Sequence, residues 1–147
     1  MPIDFYLSQV SWHTHFAELM AVREQVFITE QHVDPAFEWD AIDATAIHLL
    51  AYHNKKPVGC TRIITHQKIG RMAVLKPWRG FGAGSALLLK AVAICKAYGS
   101  QVVNLTAQTH AISFYQQAGF IAVSDIYQDA NIPHVDMQLI LPKIKKV

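Results

Sequence analysis

Three glycines within six residues, in Arg79-Gly80-Phe81-Gly82-Ala83-Gly84, are the part of this chain best suited to hold a charged ligand. They follow an apolar, strand-like run at 71–75 and open a long apolar helical run at 85–98. Glycine lets a backbone turn tightly and come close to a ligand. A helix that starts there turns its free N–H groups and the positive end of its dipole into the turn. The product is an anion site, and phosphate is the usual anion. Arg79 adds a cation. The bland alternative is a glycine-rich turn that merely ends a strand.

The identity of the phosphate ligand narrows by elimination. A Walker A loop carries Lys and then Ser or Thr after its last glycine. Here Gly84 is followed by Ser85 and Ala86. A dinucleotide fingerprint needs Gly-x-Gly-x-x-Gly and an acid about 20 residues further on. This loop reads Gly80-x-Gly82-x-Gly84, and no Asp or Glu occurs between Asp43 and Asp125. What remains is a pyrophosphate gripped by backbone amides, with no ribose-reading acid and no evident magnesium ligand. Coenzyme A fits that description.

The same residues resemble the acetyl-CoA pyrophosphate motif of the GNAT superfamily of N-acetyltransferases, (Gln/Arg)-x-x-Gly-x-(Gly/Ala), with Arg79, Gly82 and Gly84 on its defined positions. The preceding Met72-Ala73-Val74-Leu75-Lys76-Pro77 resembles the fourth strand of that fold. Downstream, Gln108-Thr109-His110-Ala111-Ile112-Ser113-Phe114-Tyr115-Gln116-Gln117-Ala118-Gly119-Phe120 resembles the second signature, commonly Asn-x-x-Ala-x-x-(Phe/Leu)-Tyr-x-x-x-Gly-Phe. The two occur in the family's order and spacing. Val22-Arg23-Glu24-Gln25-Val26-Phe27 with Glu30-Gln31, and Glu38-Trp39-Asp40 with Asp43, are similar to a subgroup of small bacterial members called ElaA-like. The resemblance covers nearly the whole chain.

It implies acetyl-CoA as co-substrate and an N-acetyltransferase acting on a primary amine, in a small molecule or an exposed amino group. The backbone of Met72, Ala73 and Val74 would hold the pantetheine arm. The amides of Arg79, Gly80, Phe81, Gly82, Ala83 and Gly84, with the Ser85 hydroxyl, would hold the pyrophosphate. Tyr115 would be the general acid that protonates the departing thiolate; on the residues alone it reads equally as a packing tyrosine between Phe114 and Phe120. Gln108 stands where asparagine is common, and its amide can both donate and accept toward CoA. For acceptor binding or a base, Glu38 and Asp40 flank Trp39, a grouping suited to a cationic amine. His110 and His134 are further base candidates, and so is water. Cys60 lacks a partner base for covalent relay. The competing function is a CoA-binding or sensing module without transfer, acting through a protein partner.

Around these residues the pattern is mixed α and β. Alternation at Ile3, Phe5 and Leu7 predicts a first strand, and Phe16, Leu19, Met20, Val26 and Phe27 fall at helical spacing. Residues 47–52 and 58–65 read as a hairpin across the turn 54–57. Strands at 68–74 and 102–107 bracket the glycine loop and its helix, which Gly99 caps. A helix at 109–118 stops at Gly119. A last strand alternates through Val135, Met137, Leu139 and Leu141, with 120–127 as its partner. This gives one GNAT-like α/β (α+β) domain over 1–147: a mostly antiparallel sheet with flanking helices. By the resemblance, strands 68–74 and 102–107 are parallel and splay apart.

With 52% hydrophobic and 16% charged residues the chain has a globular rather than a disordered profile. A net charge of +2 is too small to argue for nucleic acid, and Lys143-Ile144-Lys145-Lys146 reads as a solvated tail. The longest apolar stretch, 83–92, already contains Ser85 and Lys90, so no membrane span is expected. No signal segment is evident at the start. Two isolated cysteines point to a reduced, cytoplasmic setting. Of eight histidines only His13 and His15 lie close, and i,i+2 residues do not share a helix face, so no metal is expected. The acceptor amine is the expected partner. A homodimer is left open.

Overall fold

A computed structural model describes residues 3–142; the expected basic tail at 143–146 lies outside them. The order is β1 (Tyr6–Val10), α1 (Trp12–Arg23), a π-helical continuation (Glu24–Glu30), α2 (Pro35–Glu38), β2 (Ile47–His53), β3 (Lys56–Ile64), β4 (Lys68–Val74), α3 (Ala83–Ala97), β5 (Val102–Gln108), α4 (Ile112–Gln117), β6 (Ile121–Ala122), β7 (Tyr127–Asp129) and β8 (Ile132–Ile140). The strands form one sheet in the order β1-β2-β3-β4-β5-β8-β6, with β7 also on β8. Every pairing is antiparallel except β4 with β5. No helix among the described residues is long and apolar enough to cross a membrane.

Both faces of the central strands are covered. On one face Leu87, Leu88 and Ala91 of α3 pack against Leu49, Ile63, Leu105 and Met137. On the other, Leu19 and Val22 of α1 with Val26 and Phe27 pack against Leu50, Cys60 and Ala73. Each fully buried Leu or Val contributes about 1.5–3 kcal/mol. Burial on both faces explains why 47–52 and 58–63 show no simple apolar–polar alternation, with even His48, Thr61 and Arg62 buried.

Some expected elements came out differently. The first strand, expected through Ile3, Phe5 and Leu7, starts at Tyr6, and the helix expected at 85–98 starts at Ala83. The partner of the last strand, expected at 120–127, is broken into β6 and β7. Between them Ser124 Oγ accepts the Asp136 N–H (2.9 Å), so a side chain replaces a strand in the ladder. The helix expected at 109–118 begins as a 3-10 turn, Thr109–Ala111, before α4.

The feature that makes room for a site is the separation of β4 and β5. Their register holds only at Lys68 with Asn104 and Ile69 with Leu105. Beyond it, β4 has a bulge: Cys60 opposes Ala73 while Arg62 opposes Gly70, leaving Arg71 and Met72 opposite the single Thr61. Arg71 takes the left-handed conformation there (φ 48°), an uncommon state for a non-glycine residue. Side chains of β3 hold the bulge, with Thr61 Oγ1 donating to Gly70 O (2.9 Å) and Cys60 Sγ to Arg71 O (3.4 Å). A bulge bends its strand, and here β4 leaves β5 from Gly70 onward.

Candidate active site

The splay opens a cleft of about 1390 Å³. Its walls are β4, the glycine loop, the end of β5, α4, the β7–β8 hairpin and the end of the π-helical segment with α2. The cleft brings together Glu38, Met72, Ala73, Val74, Arg79, Gly80, Gly82, Ala83, Gly84, Ser85, Gln108 and Tyr115. Phe81 and Asp40 do not line it; the Phe81 ring is half exposed on the outside of the loop.

At the glycine-loop end the polar groups are mostly backbone. Gly82 is the N-cap of α3 and sits in the left-handed region (φ 94°), where a side chain would strain the turn. Gly84 is small for another reason: a Cβ there would come within 3.4 Å of the Phe114 ring. Among the described residues the N–H groups of 80–85 have no acceptor, as expected for a first helical turn and the loop before it. The Arg79 N–H, expected among them, instead donates to Lys76 O (3.3 Å). Leu75 N–H donates to Val58 O (2.8 Å), so by antiparallel alternation the Val74 peptide groups turn away from β3 toward the splay. There Val74 O accepts from Arg79 Nε (2.9 Å).

The rest of the Arg79 guanidinium forms a fork with Glu30, Nη1 to Oε2 at 2.7 Å and Nη2 to Oε1 at 2.8 Å. Hydrogen bonding from Arg79 lowers the Glu30 pKa below the usual carboxylate range. The neighbouring Gln31 exchanges two side-chain hydrogen bonds with Gln108, at 2.7 and 3.2 Å. Thus Glu30 and Gln31, consecutive at the end of the π-helical segment, tie it to the glycine loop and to the end of β5. Sequence reading picked them out only as part of a subgroup resemblance; pairing across 49 and 77 residues leaves no local signal.

Tyr115, on α4, is 8% exposed and lines the cleft. Its ring packs edge-on against Phe114 and Phe120, with centroids at 5.0 and 6.1 Å. Burial pushes its phenol up to about 12. It is therefore protonated at neutral pH.

The wall around Glu38, Arg62 and Arg71 is dominated by charge. Glu38 (3% exposed) receives Arg23 Nε at 2.7 Å, and Arg71 Nε lies 3.3 Å away without hydrogen-bond alignment. Asp43 receives Arg23 Nη1 at 2.7 Å and Arg62 Nη1 at 2.9 Å, and Asp40 receives Arg62 Nη1 at 2.8 Å. Arg71 Nη2 donates to the carbonyls of Phe37 (3.3 Å) and Glu38 (3.2 Å). The Arg23 guanidinium also lies between the Trp12 and Trp39 rings, 5.5 and 5.1 Å from their centroids. Within the acid–aromatic–acid grouping, Glu38 and Trp39 thus hold a cation, the chain's own Arg23, while Asp40 faces Arg62 and Arg71. Desolvation pushes the Glu38 pKa up despite its arginine neighbours. Desolvation also acts on Asp43, but Arg23 and Arg62 outweigh it and hold Asp43 below its usual value. The sequence signal for this network is three arginines embedded in apolar helix and strand runs, which cannot be buried without acids.

Two histidines line the same cleft. His110 is exposed, on the turn before α4. His134 is 9% exposed, on β8, in register with Gln108.

The sequence and the fold are shared with known proteins. The family description "Acetyltransferase (GNAT) domain" matches residues 13–141. The uncharacterized protein YyaT of Bacillus subtilis is 35% identical over 137 residues, covering 89% of this chain and 93% of that protein. Protein ElaA of Escherichia coli is 33% identical over 143 residues, covering 91% and 92%. The crystal structure of Escherichia coli ElaA superposes with a TM-score of 0.83 at 28% identity, over 92% of this chain and 99% of ElaA. An acyl-CoA N-acyltransferase from Pseudomonas aeruginosa gives a TM-score of 0.80 at 27% identity, over 93% and 99%. The chain belongs to the GNAT acetyltransferase family, with ElaA among its relatives, and is an acyltransferase that draws its acyl group from coenzyme A.

Proposed function

We propose that this enzyme transfers acetyl from acetyl-CoA directly to a primary amine, carried by a small molecule or an exposed amino group. The observation that carries the reading is the meeting, in one cleft, of an unpaired strand edge, a run of free amides opening α3, and a buried protonated phenol. Met72, Ala73 and Val74 would take the pantetheine amides as an added strand. The amides of Gly80, Phe81, Gly82, Ala83 and Gly84, with Ser85, would hold the pyrophosphate at the positive end of α3. Arg79 would add charge once freed from Glu30, and Gln108 would face the thioester region while pairing with Gln31.

In the transfer step the amine nitrogen bonds to the acetyl carbon as the carbon–sulfur bond breaks. Tyr115 would meet the departing sulfur. A thiol has a pKa of roughly 8.5, below the value of about 12 for this phenol. Full proton transfer is thus uphill, and the phenol acts first as a hydrogen-bond donor to the developing thiolate. Glu38 and Asp40 are proposed to shape the acceptor wall through Arg71 and Arg62, since their carboxylates already face guanidinium groups.

The test is amine-dependent CoA release. The protein is incubated with acetyl-CoA and a panel of lysine, putrescine, glucosamine and phenethylamine. Free thiol is assayed and acetylated product weighed by mass spectrometry. Release with a subset of amines and a matching mass gain is expected. Tight acetyl-CoA binding with no amine-dependent release would overturn the reading.

A further inference from the structure

We propose that His134 is the base that takes the proton from the acceptor amine; the assignment rests on the amine reading above. His134 Nδ1 lies 2.6 Å from Ile132 O. A carbonyl can only accept, so Nδ1 must carry the hydrogen. In the neutral ring that leaves the lone pair on Nε2. Nε2 has no hydrogen-bond partner among the described residues and is not sealed from solvent, although the residue as a whole is 9% exposed. The opening it reaches is the cleft.

The face is the right one. On β5, Val103, Leu105 and Ala107 belong to the core cluster that contains Tyr115, as do Val135 and Met137 on β8. Strand alternation therefore puts Gln108 and its register partner His134 on the opposite face. Gln31 bonds Gln108 on that face, which identifies it as the side of the π-helical segment and the acceptor wall. The base and the acid thus approach the splay from opposite sides. One faces the incoming nitrogen and the other the leaving sulfur.

Competing bases are otherwise engaged or elsewhere. Glu38 and Asp40 face arginines, and His110 is exposed beside the donor end, near Glu30. The elements packed against β8 bring Tyr127 and Asp129 from β7 and His110 from the turn before α4; β8 itself adds Asp136. Asp136 Oδ1 accepts from Tyr127 Oη (2.5 Å) and Thr106 Oγ1 (3.2 Å), so it does not orient the imidazole. In the reaction His134 Nε2 gains the amine proton as the nitrogen–carbon bond forms. The sulfur leaves as the thiolate, hydrogen-bonded by the Tyr115 hydroxyl, and His134 returns to its starting state by giving its proton to water.

The deciding variant is His134→Asn, whose side-chain amide can still donate to Ile132 O but offers no basic nitrogen. With the best amine of the panel, kcat/KM at neutral pH is expected to fall roughly 10²–10⁴-fold. Acetyl-CoA affinity by calorimetry should stay within about twofold, which also reports a folded protein. The variant's rate should climb with unit slope toward the amine's own pKa over the range where the native profile is flat. Nitrogen NMR of the native imidazole should show the hydrogen on Nδ1. An Asn variant with near-native kcat/KM and an unchanged profile would overturn the assignment, leaving His134 a hairpin residue. A hydrogen found on Nε2 in the neutral ring would overturn it without any kinetics. A native enzyme that releases no CoA with any amine overturns the amine reading and the base together, whereas an active Asn variant removes the base alone.

Discussion

From Val74 to Ser85 the cleft presents mainly peptide groups, while across the splay, around Glu38, Arg62 and Arg71, it presents guanidinium and carboxylate. With the first wall as the proposed donor side and the second as the proposed acceptor side, the donor side is specified locally: a glycine in the left-handed region, a helix that starts on it, and a strand edge freed by one bulge. The acceptor side is specified by partners 15 to 22 residues apart for Arg23 and Arg62, and 31 to 34 apart for Arg71. Backbone recognition suits a co-substrate shared by many enzymes, because any sequence that folds this way supplies the same N–H groups. Side-chain recognition can vary without disturbing the sheet. The contrast makes different variants fail in different ways.

The largest effect is expected at Tyr115, the donor-side exception, where one side chain is proposed to act. Tyr115→Phe keeps the ring between Phe114 and Phe120 and removes a hydroxyl with no protein partner among the described residues. Thermal stability should hardly move. With acetyl-CoA affinity also unchanged, kcat should fall by roughly 10²–10⁴. In the native enzyme the phenol is raised to about 12, so no loss of rate from its ionisation is expected until the pH approaches that value. Near-native kcat in the Phe variant, under conditions where chemistry limits turnover, would reduce Tyr115 to packing.

Next in size is Arg23, on the acceptor side. Arg23→Met should destabilise the fold, because Glu38 and Asp43 lose their shared partner while remaining buried. Breaking a buried pair from one side costs about 3–5 kcal/mol, which for this size of chain is on the order of 10 °C in Tm. The two acids then answer to pH with opposite signs. Asp43 is held low in the native state, so its contribution is present above its unfolded pKa and lost as pH falls. Glu38 is held high, so its contribution is greatest below its unfolded pKa and lost as pH rises through the raised value. A Met variant that melts with the native protein would show the network to be ornamental to stability.

Gly82 separates strain from charge on the donor side. Both Gly82→Ala and Gly82→Glu must adopt a positive φ, at about 1–2 kcal/mol, and the Cβ that either adds meets no neighbour within 4 Å. Only Glu also adds a negative charge at the positive end of α3. Acetyl-CoA affinity is therefore expected to weaken at least tenfold more for Glu than for Ala by calorimetry, with both variants folded. For the native protein, ATP and NAD should bind more weakly than CoA. Equal affinities of the two variants would move the pyrophosphate away from this loop.

The same contrast explains what could be read from sequence. β4 was legible to the residue and the glycine loop to within two, since α3 starts at Ala83 rather than at 85, because each follows from neighbours along the chain: apolar run, glycine, helix. Tyr115 and Gln108 were singled out by resemblance to a family signature, and both line the cleft. The bulge at Arg71 left no trace, since an arginine in a strand gives no warning of a left-handed φ. The fate of Glu38-Trp39-Asp40 was half legible. Its affinity for a cation was visible, but not that Arg23, on another helix, would supply it. The break between β6 and β7 depends on Ser124 capturing one amide of β8, a contact that hydrophobic periodicity does not encode.

The smallest effect is expected where the two sides meet, at Glu30 and Arg79. Both side chains are about a third exposed or more, so the pair itself is worth only about 0–1 kcal/mol. Its sign is the informative part. In the structure the Arg79 fork closes on Glu30 and its Nε on Val74 O. A pyrophosphate that recruits this guanidinium must draw it from a carboxylate whose own charge opposes the ligand. Glu30→Gln removes that charge while retaining an oxygen that can accept one hydrogen bond. Acetyl-CoA affinity should therefore rise, by up to about fivefold on the scale of an exposed pair, at low ionic strength. The gain should fade toward 0.5 M salt, where charges separated by more than a few ångströms are screened. A fall in affinity would reverse the roles: Glu30 would then hold Arg79 in place for the donor, and the π-helical segment would belong to the donor half of the cleft.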